Sequence, residues 1–166
     1  MLIFLDTEFT DFIDCDLISI GMVSEDGQHV FYAERNDFRH EWENDFVRVA
    51  VLPYLGQFPE AVCTREELTQ RLRAWFASLP RSVQIACDAQ QDLDLLRDAL
   101  DEELPANIKP GRFNLASLID TTVFHKAVCH YHEQPGQPWH HALYDAHAHR
   151  HGWMAWMDAH KEKKQA

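Results

Sequence analysis

The sequence predicts a mixed α/β sheet with helices packed on it, on three observations. An apolar run, "LIFL", opens the chain and reads as a buried strand. A hairpin pattern follows at 17–34. After residue 64, helical periodicity alternates with a short apolar strand. The chain has 166 residues, enough for one domain with a real core. Neither an internal repeat nor a linker breaks it, so residues 1–160 are expected to form a single domain, with 161–166 as a frayed tail.

The first strand is expected at 1–6. The hairpin "LISIGMVSEDGQHVFYAE" has Ile18, Ile20 and Met22 alternating in its first arm, Asp26-Gly27 at the turn, and Val30, Phe31 and Tyr32 in its second arm. Residues 35–60, with Pro53, Gly56 and Pro59, read as irregular. "TREELTQRLRAWFASLP" starts a helix with Thr64 as N-cap and Glu67 three residues on, a capping box. Leu68, Leu72, Trp75, Phe76 and Leu79 follow at helical spacing, and Pro80 ends the element. "SVQIACD", 82–88, is a short strand, and "DLDLLRDALDEEL", 92–104, a helix. Residues 105–112 read as loop, and 113–132 as a short strand and then a helix. "EQPGQP" is a breaker. A last helix is expected from about 140 to 160.

Composition narrows the function classes. Hydrophobic content of 46% with 25% charged residues fits a globular protein. No apolar stretch approaches the roughly 20 residues that span a bilayer, so no membrane partner is expected. Met1-Leu2-Ile3-Phe4 reads as core strand and not as a signal peptide. Cys15, Cys63, Cys87 and Cys129 are scattered without a CxxC pair, which suits a reducing cytoplasm. The net charge of −12 argues against tight binding to long duplex, where phosphate contacts dominate affinity.

Acids stand at three places where a core would not want them. Asp6 and Glu8 end the first strand and, two residues apart, point to one face. Asp92 follows the strand at 82–87 at the mouth of a helix. Asp145, in "HHALYDA", lies early in the last helix. Strand ends and helix starts are where α/β sheets build sites. Four converging carboxylates repel one another unless a cation sits among them. Hard oxygen ligands select Mg²⁺ or Mn²⁺. Two such ions can activate a water and stabilise the leaving oxygen of a phosphodiester.

These residues carry a resemblance. The chain is similar to the DEDDh 3′→5′ exonucleases of the ribonuclease H-like superfamily, which include ribonuclease T and oligoribonuclease. It looks closest to small bacterial 3′→5′ exoribonuclease-like domains. "DTEFT" matches the first motif, implying Asp6 and Glu8 as metal ligands and Phe9 and Thr10 against the terminal nucleotide. The third motif, H-x-A-x-x-D, is read as His140, Ala142 and Asp145, with His140 as general base and Asp145 as metal ligand. Residues five apart on a helix point about 140° apart, so His140 belongs to the preceding loop. His141 is the alternative base. The second motif departs from the pattern: "CDAQQD" has Asp88 where Asn is usual and Gln91 where an aromatic is usual. Asp92 is the ligand this register selects, with Asp94 as fallback. The resemblance implies a ribonuclease H-like fold, two Mg²⁺ or Mn²⁺ ions, and single-stranded 3′ ends as substrate, RNA favoured over DNA. The rival reading is a catalytically silent binding module of the same fold.

Nine of the eleven histidines lie between 125 and 160. Cys129, His130 and His132 match no structural zinc spacing, and His147, His149 and His151 are expected along a solvated helix. Of Trp139, Trp153 and Trp156, at least two are expected in the core. Trp42, Phe46 and Tyr54 are candidates for a homodimer interface.

Overall fold

Alternation along the first strand decides which layer each of its residues serves. In a computed structural model, whose described residues are 1–80 and 82–165, strand β1 spans Leu2–Phe9. It is longer than the run 1–6, because its polar end continues the ladder. Ile3 and Leu5 enter one core, and Phe4 enters another on the opposite face. By the same parity Thr7 follows Leu5, while Asp6 and Glu8 follow Phe4.

β2 (Leu17–Ser24) and β3 (Val30–Arg35) form the expected hairpin around Gly27, whose φ of 75° suits the turn. The sheet order is β4-β3-β2-β1-β5-β6, where β4 is Val62–Cys63, β5 is Val83–Cys87 and β6 is Ile108–Asn114. β1 pairs antiparallel with β2 and parallel with β5. Pairing makes β2 the one strand running against the other five. This is an α/β fold, a six-stranded mixed sheet with helices on both faces, consistent with a ribonuclease H-like arrangement.

Three segments differ from the sequence reading. Residues 105–112 are mostly strand, not loop. Pro110 and Gly111 suggest a breaker, yet β6 is an edge strand, where a missing N–H costs little. A register shift between Val83 and Ile85 accommodates the extra residues. Residues 35–60 are not wholly irregular. Helix α1 spans Asp45–Ala50, capped by Asn44, whose Oδ1 accepts from Val47 N at 2.9 Å. Its Val47 and the following Val51 close a small core with Ile18 and Phe38. The helix expected at 92–104 is α3, Gln90–Ala99. It stops because Asp101 and Glu102 turn left-handed, at φ 55° and 61°. Glu102 N then donates to Arg97 O.

α2 (Arg65–Ser78) has the expected capping box, and Leu68, Leu72 and Phe76 are buried. With α3 it covers the face of Ile3 and Leu5. The opposite face carries α4 (Ala116–Ile119), α5 (Thr122–His132) and α6 (Ala142–Gln165). Phe4, Phe124, Val128 and Ala146 are buried there, with Trp153 and Trp156 packed against them. The last helix starts at 142, not 140, and its backbone runs on through 161–165, where fraying is expected; Ala166 lies outside the described residues.

α6 meets the sheet very closely. A Cβ on Gly21 would stand 2.3 Å from the carbonyl carbon of Ala142 and 2.4 Å from Leu143 N, both backbone atoms. Only a glycine in β2 admits the start of α6 there. Gly21 pairs with Asp6 across the ladder, so this approach sets Asp145 beside the end of β1.

Candidate metal centre and cleft

Strand parity and the α6 approach bring three of the expected acids together. Ligand atoms of Asp6, Glu8 and Asp145 all lie within 4.8 Å of one another. Burial first, then the carboxylates of Asp145, Asp92, Glu8 and Asp88, push the Asp6 carboxyl well above its ordinary range. Burial, Asp145 and Asp92 push Glu8 up to about 8. The charges that raise these two groups are all carboxylates. An all-oxygen donor set of this kind fits a hard divalent cation.

Asp145 has polar neighbours on two sides. His141 N donates to its Oδ2 at 2.9 Å. His132, at the end of α5, places Nε2 3.2 Å from Oδ1, and its Nδ1–H donates to Gln137 O at 3.1 Å. Trp139 stacks on the His132 ring at 3.9 Å, so Trp139 supports the site rather than the core. His132 escapes a reading by sequence, because its partner lies on another helix.

Asp92, in the first turn of α3, adds its charge to both Asp6 and Glu8. It is 4% exposed, and its Oδ1 accepts from the Thr7 hydroxyl at 2.7 Å. Burial, opposed by the Thr7 bond, raises its carboxyl to about 7. Asp94, the fallback, is exposed and accepts from Gln90 Nε2 at 3.0 Å. A second set within 4.8 Å joins Asp6 to Asp88 and His149. His149 is therefore not on a solvated face. Four residues after Asp145, it shares that residue's side of α6, and burial lowers its pKa. His147 differs from expectation as well: burial brings it down to about 4, where it stacks on Tyr131 at 6.2 Å. Cys129 and His130 belong to no three-ligand group among the described residues.

His140 sits before α6 on an exposed loop, as the motif spacing requires. Its φ of 60° is left-handed, a conformation that costs a non-glycine residue about 1–3 kcal/mol and clusters at functional sites. Its ring meets the Phe46 ring edge-on at 4.8 Å. His141 is 2% exposed and stacked on Tyr32 at 4.7 Å. His140 therefore faces a cleft of about 420 Å³, lined by Glu8, Phe9, Asp11, Phe12, Phe46 and Asn44 among others. Phe12 is 80% exposed and Phe46 53%. Phe9 packs against Phe12 at 5.1 Å. Thr10 is buried, with its hydroxyl donating to Asp14 O and accepting from Asp16 N, so it braces the loop at 10–16 instead of facing the cleft. Phe46, a candidate interface residue by sequence, is a wall of this cleft.

The chain as a whole matches no protein-family model and no curated protein. No helix of the described residues is long and apolar enough to cross a membrane.

Proposed function

We propose that this protein is a metal-dependent 3′→5′ exonuclease acting on single-stranded ends, RNA in preference to DNA, and releasing nucleoside 5′-monophosphates. One observation carries the reading: the aromatic cleft of Phe9, Phe12, Phe46 and His140 opens directly onto Glu8, a member of the acidic set. Exposed aromatic faces stack on bases without needing sequence. Carboxylates beside them are where a terminal phosphodiester would be handled.

Asp6, Glu8 and Asp145 would hold divalent cation, with Asp92 and Asp88 adding charge around it. Mg²⁺ or Mn²⁺ bound there supplies positive charge that acidifies water and stabilises a leaving 3′-oxygen. His140 accepts the proton of the attacking water as general base, from a loop position that can adjust as substrate arrives. The water oxygen attacks the last phosphorus in line, the bond to the 3′-oxygen breaks, and that oxygen takes a proton from solvent as it leaves. The His141 amide holds Asp145 in place, with His132 Nε2 3.2 Å from its other oxygen. The free cysteines agree with a cytoplasmic setting. A net charge of −12 leaves grip on the chain end to cation and stacking.

The test is digestion of 3′-labelled and 5′-labelled single-stranded RNA and DNA oligomers with Mn²⁺. Stepwise shortening from the 3′ end, faster on RNA and abolished by chelator, is expected. Binding without hydrolysis would replace the reading by a silent binding module. Faster loss of DNA would reassign the substrate.

A further inference from the structure

The aromatic cleft carries one polar side chain with no part in the chemistry. Of the polar residues that line it, Glu8 belongs to the acidic set and His140 stands as the base. Asn44 is occupied at both ends: its Oδ1 accepts from Val47 N and its Nδ2 donates to Asp11 Oδ2, each at 2.9 Å. Asp11 remains. A further carboxylate is an unfavourable wall for a cleft that takes a phosphate chain, unless the ligand brings donors to meet it. Asp11 is also held in place. Its Oδ1 accepts from Ile13 N at 2.9 Å, and Asn44, which binds its Oδ2, is the cap of α1 and donates its own backbone N to Thr10 O at 3.3 Å. The carboxylate therefore stands at a set place between the loop that carries Phe12 and the helix that carries Phe46. The Ile13 amide, then Asn44, hold its carboxyl below the ordinary range, so it stays an anion. An ionised carboxylate has about four lone-pair sites and no donor. One on each oxygen is taken, which leaves one on each oxygen for a ligand.

We propose that Asp11 is a specificity-determining residue: its carboxylate receives the hydrogen-bonding edge of the 3′-terminal base and favours guanine over uracil. The inference rests on the nuclease reading for the identity of the ligand. Guanine carries two neighbouring N–H donors, on N1 and N2, and can meet both carboxylate oxygens at once. Adenine and cytosine each offer an exocyclic amine to one of them. Uracil has a single N3–H between two carbonyls, which the carboxylate repels. Stacking on Phe12 and Phe46 is open to every base, so it supplies grip without choice. A polar group that the ligand must satisfy discriminates more sharply than an apolar wall. The expected order at the terminal position is guanine, then adenine and cytosine, then uracil.

The experiment uses single-stranded RNA oligomers that differ only in the 3′-terminal base, read as kcat/KM for release of that nucleotide with Mn²⁺. Alongside it, calorimetry measures binding of guanosine and uridine 5′-monophosphates with Ca²⁺ in place of Mn²⁺. Guanine is expected to exceed uracil about 5- to 150-fold in both, the scale of one bidentate base contact. Inosine, which lacks the N2 amine, should fall between them, and 1-methylguanosine, which lacks the N1 proton, should lose most of the advantage. These ligand changes need no variant, so the result survives if a variant fails to fold. Asp11→Asn, which turns one acceptor into a donor, and Asp11→Ala should bring the guanine-to-uracil ratio toward unity. A ratio near unity in the unmodified protein would overturn the inference, as would a guanine preference that persists in Asp11→Ala or extends undiminished to inosine and 1-methylguanosine. Hydrolysis with a ratio near unity overturns the role of Asp11 and leaves the nuclease standing. Tighter binding of the guanosine monophosphate, lost in Asp11→Ala and seen without hydrolysis, supports Asp11 and overturns the nuclease.

Discussion

The two faces of β1 end in opposite ways. On the face toward α3, Thr7 donates its hydroxyl to Asp92, and one buried carboxylate has a partner within the chain. On the face toward α6, Asp6 and Glu8 meet Asp145, and the charges that raise them are carboxylates. One residue of chain separates a closed arrangement from an open one. A satisfied buried acid stabilises a fold, or at least costs it little. Clustered acids without counter-charge cost stability, and a fold keeps them where an external cation completes them.

The largest effect comes from breaking the open face. Asp6→Ala is expected to lower turnover on a short RNA about 10⁴-fold or more, since the charge stabilisation lost is several kcal/mol. The metal-free variant should melt higher, by about 2–4 °C for each 1 kcal/mol of repulsion removed in a chain of this size. Full turnover by Asp6→Ala would remove the site from these acids.

Next comes the cleft. His140→Ala should cost about 10²–10⁴ in turnover, the scale of general base catalysis, with Mn²⁺ binding unchanged by calorimetry. His141→Ala should instead act on stability, because its ring is buried against Tyr32. The reverse pattern would shift the base by one residue.

Breaking the closed face should be felt mainly in folding. Thr7→Val leaves the Asp92 carboxylate without its hydroxyl donor, at about 1–3 kcal/mol in denaturant unfolding. Turnover is expected to fall far less than in Asp6→Ala. A loss as deep as that of Asp6→Ala would erase the distinction between the faces.

The smallest effect is in pH. Glu8 is raised to about 8 and Asp92 to about 7, above the ordinary carboxyl values of 4.5 and 3.8. Between those limits the folded metal-free chain holds protons that the unfolded chain has released. Its stability is therefore fullest at low pH and declines as pH rises toward 8. Cation binding displaces those protons, so the gain in melting temperature from Mn²⁺ should grow from pH 6 to pH 8.5. Melting curves with chelator and with Mn²⁺ at both values check the sign. A gain that shrinks with pH would mean the bound ion does not sit on these carboxylates.

Local patterns in the chain carried much of this. The capping box at Thr64 and Glu67, the hairpin around Gly27 and the alternation of β1 depend on neighbours within a few residues, and the structure has all three. The same alternation put Asp6 and Glu8 on one face, and the five-residue spacing put His140 on a loop ahead of Asp145. Other features depend on partners far along the chain. Pro110 and Gly111 read as a breaker until β6 is seen to be an edge strand with a register shift. Asp92 meets Thr7, 85 residues away, through a hydroxyl bond that nothing near it in sequence announces. His149 read as solvated, since nothing near it in sequence announces that Asp6 and Asp88 meet it across the sheet. The close passage of α6 over Gly21 decides that meeting, and backbone approach between distant elements leaves no periodic trace in a sequence.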